Sequence, residues 1–233
     1  MTTPRRRAYA ADASTRLFAA ARRISVTPIH SRHVSSAHAL SNHHAEDGWL
    51  MHMAAKLKQW TLEEVHSLPD DGNKYELVRG QLFVTPPPSF EHEHIGTRLA
   101  RVLDRYVEAQ GLGEVFRPRA VMRFEGSETE PDLMVLPNLE GAIDWDSMPI
   151  PILIVEILSA STRRRDLGDK RDFYLDAGVA DYWIADPEQK TIRSIGSGRE
   201  DIMASESLTW EPAGAAQPLV IDLSQVFPSH SPR

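Results

Sequence analysis

A carboxylate inside an apolar run is the feature of this 233-residue chain that most constrains its fold. Glu156 lies in the segment 152–158, and its neighbours there are Ile152, Leu153, Ile154, Val155, Ile157 and Leu158. A run of this kind, rich in β-branched residues and preceded by prolines, predicts a buried β-strand. A buried carboxylate is costly unless a cation, a metal ion, hydrogen-bond donors or a proton compensates it. The sequence therefore predicts a compensating group beside Glu156.

Composition narrows the class of protein. The length and the 41% hydrophobic content predict one globular domain of ordinary size. There is no cysteine, which excludes disulfides, thiolate nucleophiles and cysteine-based metal sites. No segment reaches the roughly 18 apolar residues of a membrane-spanning helix. No apolar signal-peptide core follows the early arginines. We therefore expect a cytoplasmic protein with no membrane partner.

The first 52 residues differ from the rest of the chain. Residues 1–50 carry seven arginines and no lysine against three acidic residues, a formal balance of +4, whereas the remainder carries −11. The Arg-rich, Ser-rich, acid-poor composition resembles a transit peptide. The alternatives are a disordered tail or a reading frame that starts too far upstream. We expect the folded domain to span residues 53–228 and a short tail to follow at 229–233.

The first elements of the domain are predicted from turn and cap signals. Two apolar segments, 75–78 and 81–84, flank Arg79-Gly80 and predict a β-hairpin, with Glu76 on its first strand. Ser89 is predicted to cap a helix of about 20 residues that ends at Gly111, because its apolar residues recur at helical spacing. His92 falls at the edge of the buried face of this helix. A structural hydrogen bond and a role in a site are both open for it.

Two acidic residues are predicted to meet at one end of a sheet. Asp132 begins a strand that continues through Leu136, and Glu156 lies within the next strand. If these strands are antiparallel neighbours, the start of one lies beside the end of the other. Two adjacent carboxylates cannot both stay ionised at low cost without a cation. Mg²⁺ is bound in proteins through one or two carboxylates plus water, so it fits such a pair.

A lysine lies on the apolar face of the following helix, predicted from about Asp166 to Ala177 and closed by Gly178. Helical spacing from Lys170 selects Phe173, Tyr174 and Ala177. Lys170 should therefore point inward. One interpretation is a lysine whose stem lies along the core. The other is a cation that reaches the two acids.

Three consecutive arginines, Arg163, Arg164 and Arg165, precede this helix. They predict contacts with the phosphates of a nucleic acid, and a charged loop is the alternative.

Several motifs occur in one order along the chain: Tyr75–Gly80, His92, Pro131-Asp132, Val155–Ser159, Thr162, Asp166, Lys170, Tyr174 and Gly178–Pro187. This arrangement resembles the Uma2 family of restriction-endonuclease-like proteins, from about residue 57 to about residue 228. The resemblance implies the PD-(D/E)xK nuclease fold, an α/β (α+β) architecture in which helices flank a central mixed β-sheet.

The resemblance also implies a site. Asp132 and Glu156 match the two acidic positions, and with the backbone carbonyl of Ile157 they would bind Mg²⁺ or Mn²⁺. The lysine that usually follows two residues after the second acid is Leu158 in this chain. Lys170 is the best replacement, and Glu76 is expected to complete the catalytic set. Two further residues that match family positions, His92 and Asp166, are expected to be accessory.

Three functions remain open from the sequence. The first is metal-dependent hydrolysis of DNA phosphodiester bonds, with a homodimer expected by analogy with nucleases that cut both strands. The second is a binding or assembly module that kept the fold and lost turnover. The acidic body favours this second reading, because general DNA affinity usually comes from basic surface. The third is a glycosidase-type acid pair, which the inward Lys170 and the family resemblance disfavour.

Overall fold

This computed structural model describes residues 58–141 and 143–227 of the chain. These residues form three β-sheets and five helices, joined by turns and loops. The predicted segments 1–52 and 229–233 lie outside the described residues. The first half contains α1 (Leu62–His66), β1 (Lys74–Val78), β2 (Gln81–Thr85), α2 (Phe90–Gln110), β3 (Gly113–Phe116), β4 (Met122–Phe124), β5 (Ser127–Thr129) and β6 (Leu133–Pro137). The second half contains β7 (Leu153–Ile157), α3 (Arg163–Leu167), α4 (Asp169–Asp176), β8 (Asp181–Asp186), β9 (Thr191–Gly196), β10 (Ile202–Ala204), β11 (Ser207–Trp210), β12 (Leu219–Asp222) and α5 (Leu223–Val226).

The predicted hairpin is confirmed as β1 and β2. Its two turn residues, Arg79 and Gly80, have φ values of 50° and 79°. Two consecutive positive φ angles are what a two-residue hairpin turn with the right twist requires. The hairpin extends into a four-stranded sheet of order β2-β1-β5-β4. Glu76 thus lies on an inner strand, with its side chain fully buried.

The long helix α2 has the predicted bounds. The Ser89 side chain accepts a hydrogen bond from the backbone N–H of His92, and Gly111 closes the helix with φ 64°. A side-chain acceptor at the first position and a left-handed glycine after the last are the usual helix stops. The buried face packs against the largest sheet through Ile95, Leu99, Leu103 and Val107.

The largest sheet, of order β10-β9-β8-β7-β6-β3, is mixed. β7 and β8 are parallel, and the other neighbours are antiparallel. A parallel pair needs a crossover connection, which α3 and α4 provide. The expected antiparallel pairing of β6 and β7 is confirmed, with Leu133 opposite Val155. One further step in this register puts Asp132 opposite Glu156.

Alternation along β7 sends its side chains to two cores. Leu153, Val155 and Ile157 join the core beneath α2. Ile154 joins the opposite core, which contains Phe173 and Tyr174 of α4. Because side chains alternate along a strand, Glu156 shares the face of Ile154. The buried carboxylate is therefore directed toward α4.

Two details differ from the sequence predictions. The residues of segment 189–193, taken by themselves, predict an edge strand, but β10 folds back and pairs with β9, so β10 forms the edge. The helix expected from Asp166 begins at Arg163 instead, because its first intrahelical hydrogen bond runs from the Asp166 N–H to the carbonyl of Thr162, the residue before the helix. That helix then breaks at Gly168 into α3 and α4. Within the described residues, no helix combines the length and the apolarity that crossing a bilayer requires.

We expect Gly113→Ala to destabilise the sheet strongly. Gly113 has φ +142°, and an added Cβ would lie 1.9 Å from the backbone oxygen of Leu136 in the paired strand. A side chain in this region is strained, and the contact forces the strands apart, so we expect a loss of about 3 kcal/mol or more. Gly126→Ala is the control, since Gly126 has φ +74° but open space around it. Urea denaturation of both variants measures the difference, and equal losses would contradict the steric explanation.

Candidate active site

Asp132 and Glu156 line one cavity of ≈410 Å³, which also contacts Ile157. Both side chains are largely buried, with exposures of 8% and 2%. Asp132 lies immediately before β6, and Glu156 is the fourth residue of β7. The structure therefore brings the two predicted acids to the same end of the sheet.

Glu156 is compensated by a lysine and a tyrosine. Its Oε1 accepts hydrogen bonds from Lys170 Nζ at 2.7 Å and from the Tyr174 hydroxyl at 2.7 Å. Its Oε2 accepts no hydrogen bond from the described residues and is not sealed from solvent. Burial raises the pKa of Glu156 to about 7, because Lys170 only partly offsets it and Asp132 adds repulsion. One oxygen is thus anchored and the other is available.

Asp132 is held from two sides. Its Oδ2 accepts a hydrogen bond from the Ile157 backbone N–H at 2.7 Å and lies 3.1 Å from His92 Nε2. Burial by itself would raise the pKa of Asp132, but the hydrogen bond from His92 and the charge of Lys74 hold it well below its usual range. Oδ1 accepts no hydrogen bond from the described residues and is not sealed from solvent. Asp132 therefore presents an ionised oxygen to the cavity.

The contact between His92 and Asp132 gives His92 a structural role inside the site. Burial would lower the pKa of His92, but its bond to Asp132 outweighs burial and raises the pKa above the usual value. His92 therefore orients Asp132 from α2.

Lys170 is fully buried, as its helical position predicts. Its Nζ lies 2.7 Å from Glu76 Oε1 as well as 2.7 Å from Glu156 Oε1. Burial would lower the pKa of Lys170, but the surrounding carboxylates Glu156, Glu76 and Asp166 raise it above its usual range. Among the described residues that line the cavity, Lys170 is absent. The lysine reaches the acids from the protein interior.

Glu76 is the second counter-ion of this lysine. Its Oε1 also accepts the Glu130 backbone N–H at 3.0 Å. Its Oε2 is buried without a hydrogen bond, although Arg165 lies 3.6 Å away. Burial would raise the pKa of Glu76, but Lys170 and the other nearby cations lower it below the usual value. Glu76 does not line the cavity, so it supports the acids from behind.

The three consecutive arginines do not form one surface. Arg165 is 7% exposed, lines the cavity, and lies near Glu76 and Asp166. Arg163 is bound by Asp186 at 2.8 Å. Arg164 is exposed. The expected phosphate-binding run is therefore split, because helical α3 turns successive side chains in different directions. Asp166, an expected accessory residue, also lines the cavity.

Sequence reasoning missed Lys74. Its Nζ lies 3.7 Å from Asp132 Oδ1 and 3.9 Å from Glu76 Oε2, and the residue lines the cavity. One signal was present in the sequence: Lys74 precedes Glu76 by two residues, which places both on one face of a strand.

The cavity lining is rich in carboxyl groups. It includes five of them, three lysine or arginine cations and His92: Glu93, Glu130, Asp132, Glu156 and Asp166, then Lys74, Arg119 and Arg165. A second cavity of ≈440 Å³ shares Asp132 and His92 with it and carries Arg101 and Arg117. Asp132 thus stands where the two cavities meet.

The donors available for a metal ion are few. No group of three or more His, Asp or Glu side chains within residues 58–141 and 143–227 is arranged to hold a metal. Asp132 Oδ1 and Glu156 Oε2 nevertheless accept no hydrogen bond from the described residues, and both residues line a cavity rich in carboxyl groups. Two such oxygens, a backbone carbonyl and waters suit the hard, oxygen-preferring Mg²⁺. The residues present therefore fit this ion.

Known proteins resemble the chain over this same region. Residues 62–229 match the Uma2 family, whose description is "Putative restriction endonuclease". The chain belongs to the Uma2 family. The match includes the acid cluster, which consists of Glu76, Asp132 and Glu156 with the neighbouring cations Lys74 and Lys170. The family resemblance predicted from the motifs is confirmed.

One solved structure similar to this Uma2 chain is a "putative nuclease belonging to DUF820" from Anabaena variabilis ATCC 29413. The TM-score is 0.60 at 21% identity, over 72% of this chain and 97% of that one. At this identity the similarity shows the fold, and the predicted restriction-endonuclease-like core with a mixed sheet is confirmed. None of the curated proteins matches the chain.

Proposed function

We propose that this Uma2 protein is a metal-dependent endonuclease that hydrolyses phosphodiester bonds in DNA. The observation that carries the proposal is that Asp132 and Glu156 line one cavity rich in carboxyl groups, each with one oxygen anchored by hydrogen bonds and the other, Oδ1 or Oε2, without one from the described residues. A description of the family as restriction endonucleases supports the same chemistry.

Asp132, Glu156 and the backbone carbonyl of Ile157 would hold Mg²⁺ or Mn²⁺. When bound, the ion supplies a water of lowered pKa and neutralises charge on the phosphate. His92 keeps Asp132 oriented and ionised. Lys170 and Tyr174 fix Oε1 of Glu156, so that Oε2 remains free. Glu76 fixes Lys170 in turn. These contacts preorganise the acids before substrate binds, so the site need not reorganise when the transition state forms.

Shape supports an elongated substrate. The two cavities, of ≈410 Å³ and ≈440 Å³, meet at Asp132. One carries Lys74 and Arg119, and the other carries Arg101 and Arg117. A DNA strand passing from one to the other would place a phosphate beside the acids, with basic side chains on both sides. The exposed Arg164 is a further proposed phosphate contact. In this proposal the protein works in the cytoplasm, and a homodimer would cut both strands.

The second candidate is a nuclease-fold module that binds DNA or assembles without turnover. One observation favours it: Lys170 and Tyr174 already compensate the buried charge of Glu156 at 2.7 Å each. A carboxylate satisfied in this way does not require a metal for folding.

Nicking of supercoiled plasmid in Mg²⁺ or Mn²⁺ distinguishes the two candidates. We expect the wild-type protein to nick and Asp132→Asn to nick at least about 10²-fold more slowly, the scale of losing a key electrostatic contact in the transition state. Asp172→Asn is the control, since it removes an exposed carboxylate of α4. Metal-independent retention of DNA without nicking would favour the binding module. Equal nicking by wild type and Asp132→Asn would contradict the proposed site.

A further inference from the structure

Lys74 is a cation of the acid cluster that faces the cavity. It lies at the start of β1, and its side chain is 19% exposed. Its Nζ donates one hydrogen bond, to the Glu130 carbonyl at 2.8 Å. The nearest carboxylate oxygens, on Asp132 and Glu76, lie 3.7 Å and 3.9 Å away. An ammonium has three N–H donors, so two donors of Lys74 have no hydrogen-bond acceptor among the described residues.

The other lysine of the cluster has the opposite environment. Lys170 is 0% exposed, and two carboxylates lie 2.7 Å from its Nζ. It is not among the described residues that line the cavity. To touch a substrate in the cavity, Lys170 would have to leave Glu156 and Glu76 and expose two buried charges. Losing such pairing costs several kcal/mol, so Lys170 is poorly suited to contact substrate.

We infer that Lys74 contacts the phosphate group of the substrate, and that Lys170 is a positioning residue for Glu156. The inference rests on the proposed nuclease function and deepens it. The two free donors of Lys74 sit beside Asp132 Oδ1, where a phosphate oxygen held at the acids would come within reach. A compact ammonium is a common phosphate ligand.

The charges around the cavity support the same roles for Lys74 and Lys170. A phosphate entering a cavity with surplus carboxylates is repelled unless cations stand at its wall. Lys74 reduces that repulsion next to the reacting phosphate. Lys170 reduces the cost of burying Glu156 and Glu76 and does not meet the solvent.

The test compares Lys74→Gln, Lys74→Arg, Lys170→Met and Lys190→Gln. Lys190 is exposed on the turn before β9, so its variant controls for the loss of one positive charge. Binding of a short fluorescein-labelled DNA duplex is measured by anisotropy in EDTA over a series of salt concentrations. The same proteins are assayed for plasmid nicking in Mg²⁺, and their thermal unfolding checks that they fold.

We expect Lys74→Gln to reduce the slope of log Kd against log salt by about 1, as losing one phosphate contact does. Nicking should fall about 10²-fold, and Lys74→Arg should restore the slope. Lys170→Met should lower the melting temperature without changing the slope, and Lys190→Gln should change neither.

An unchanged slope in Lys74→Gln, or a protein that binds no DNA, would overturn the inference. If Lys74→Gln reduces the slope but the wild-type protein never nicks plasmid, the nuclease function is overturned and the phosphate contact stands.

Discussion

Replacing Lys170 by Met should reduce the free energy of unfolding by about 3–5 kcal/mol, the range seen when one partner of a buried ion pair is removed. Lys170 is fully buried and is the shared cation of Glu156 and Glu76, each 2.7 Å from its Nζ. Met matches the stem of Lys but leaves two carboxylates without their strongest partner. Urea denaturation at neutral pH measures the loss.

A compensating variant separates charge from packing in this prediction. Adding Glu156→Gln and Glu76→Gln to Lys170→Met removes the stranded charges and should recover most of the lost stability. Arg171→Met is the matched control, since Arg171 is a neighbouring half-exposed cation of α4 that pairs with Asp172. If the triple variant were as unstable as Lys170→Met, the loss would reflect packing of the lysine stem.

Replacing Glu156 by Gln should abolish nicking, by about 10³-fold or more, while preserving or raising stability at neutral pH in metal-free buffer. The amide keeps an oxygen that can accept from Lys170 and Tyr174, and Lys170 keeps Glu76. The variant loses an anionic ligand for the metal, because a neutral amide cannot replace the charged oxygen Oε2. Plasmid nicking and metal-free melting temperatures measure the two effects.

The stability difference should depend on pH with a definite sign. The pKa of Glu156 rises from 4.5 to about 7 on folding. Its protonation therefore stabilises the fold below about pH 4.5, and this contribution is lost as the pH rises through about 7. Relative to Glu156→Gln, the wild type should lose about 2 kcal/mol between about pH 5.5 and pH 8. A difference that is constant with pH would contradict the raised pKa. A large loss of stability in Glu156→Gln at every pH would show that its ion pair with Lys170 is structurally essential.

Short-range signals predicted much of this protein. The two-residue turn at Arg79-Gly80 and the caps Ser89 and Gly111 located β1, β2 and α2 almost to the residue. Periodicity predicted that Lys170 points inward, and it is fully buried. These features depend on local dihedral preferences and on side-chain spacing, both of which can be read within one element.

Long-range pairing was harder to predict. β9 looked like an edge strand because nothing in its own residues specifies that β10 returns to pair with it. From the sequence, the arginine run looked like one basic surface. In the fold, α3 directs Arg165 toward the acid cluster, where it lies 3.6 Å from Glu76. Such pairings depend on how separate elements dock.

Lys74 shows the same limit at the site. It precedes Asp132 by 58 positions, and its approach to 3.7 Å depends on how the four-stranded sheet packs against the six-stranded one. The strand alternation with Glu76 was visible in the sequence, but not which cavity that strand face would meet.

The sequence by itself determined that a buried carboxylate on β7 needs a compensating partner, because an apolar run cannot solvate a charge. It also determined that Asp132 and Lys170 were the candidates to meet Glu156, since strand order and helical spacing direct them there. Only the tertiary structure decided that Lys170 is sealed behind Glu156 while Lys74 faces the cavity. That choice is made by the packing of distant elements, which sets the solvent exposure of each ammonium group.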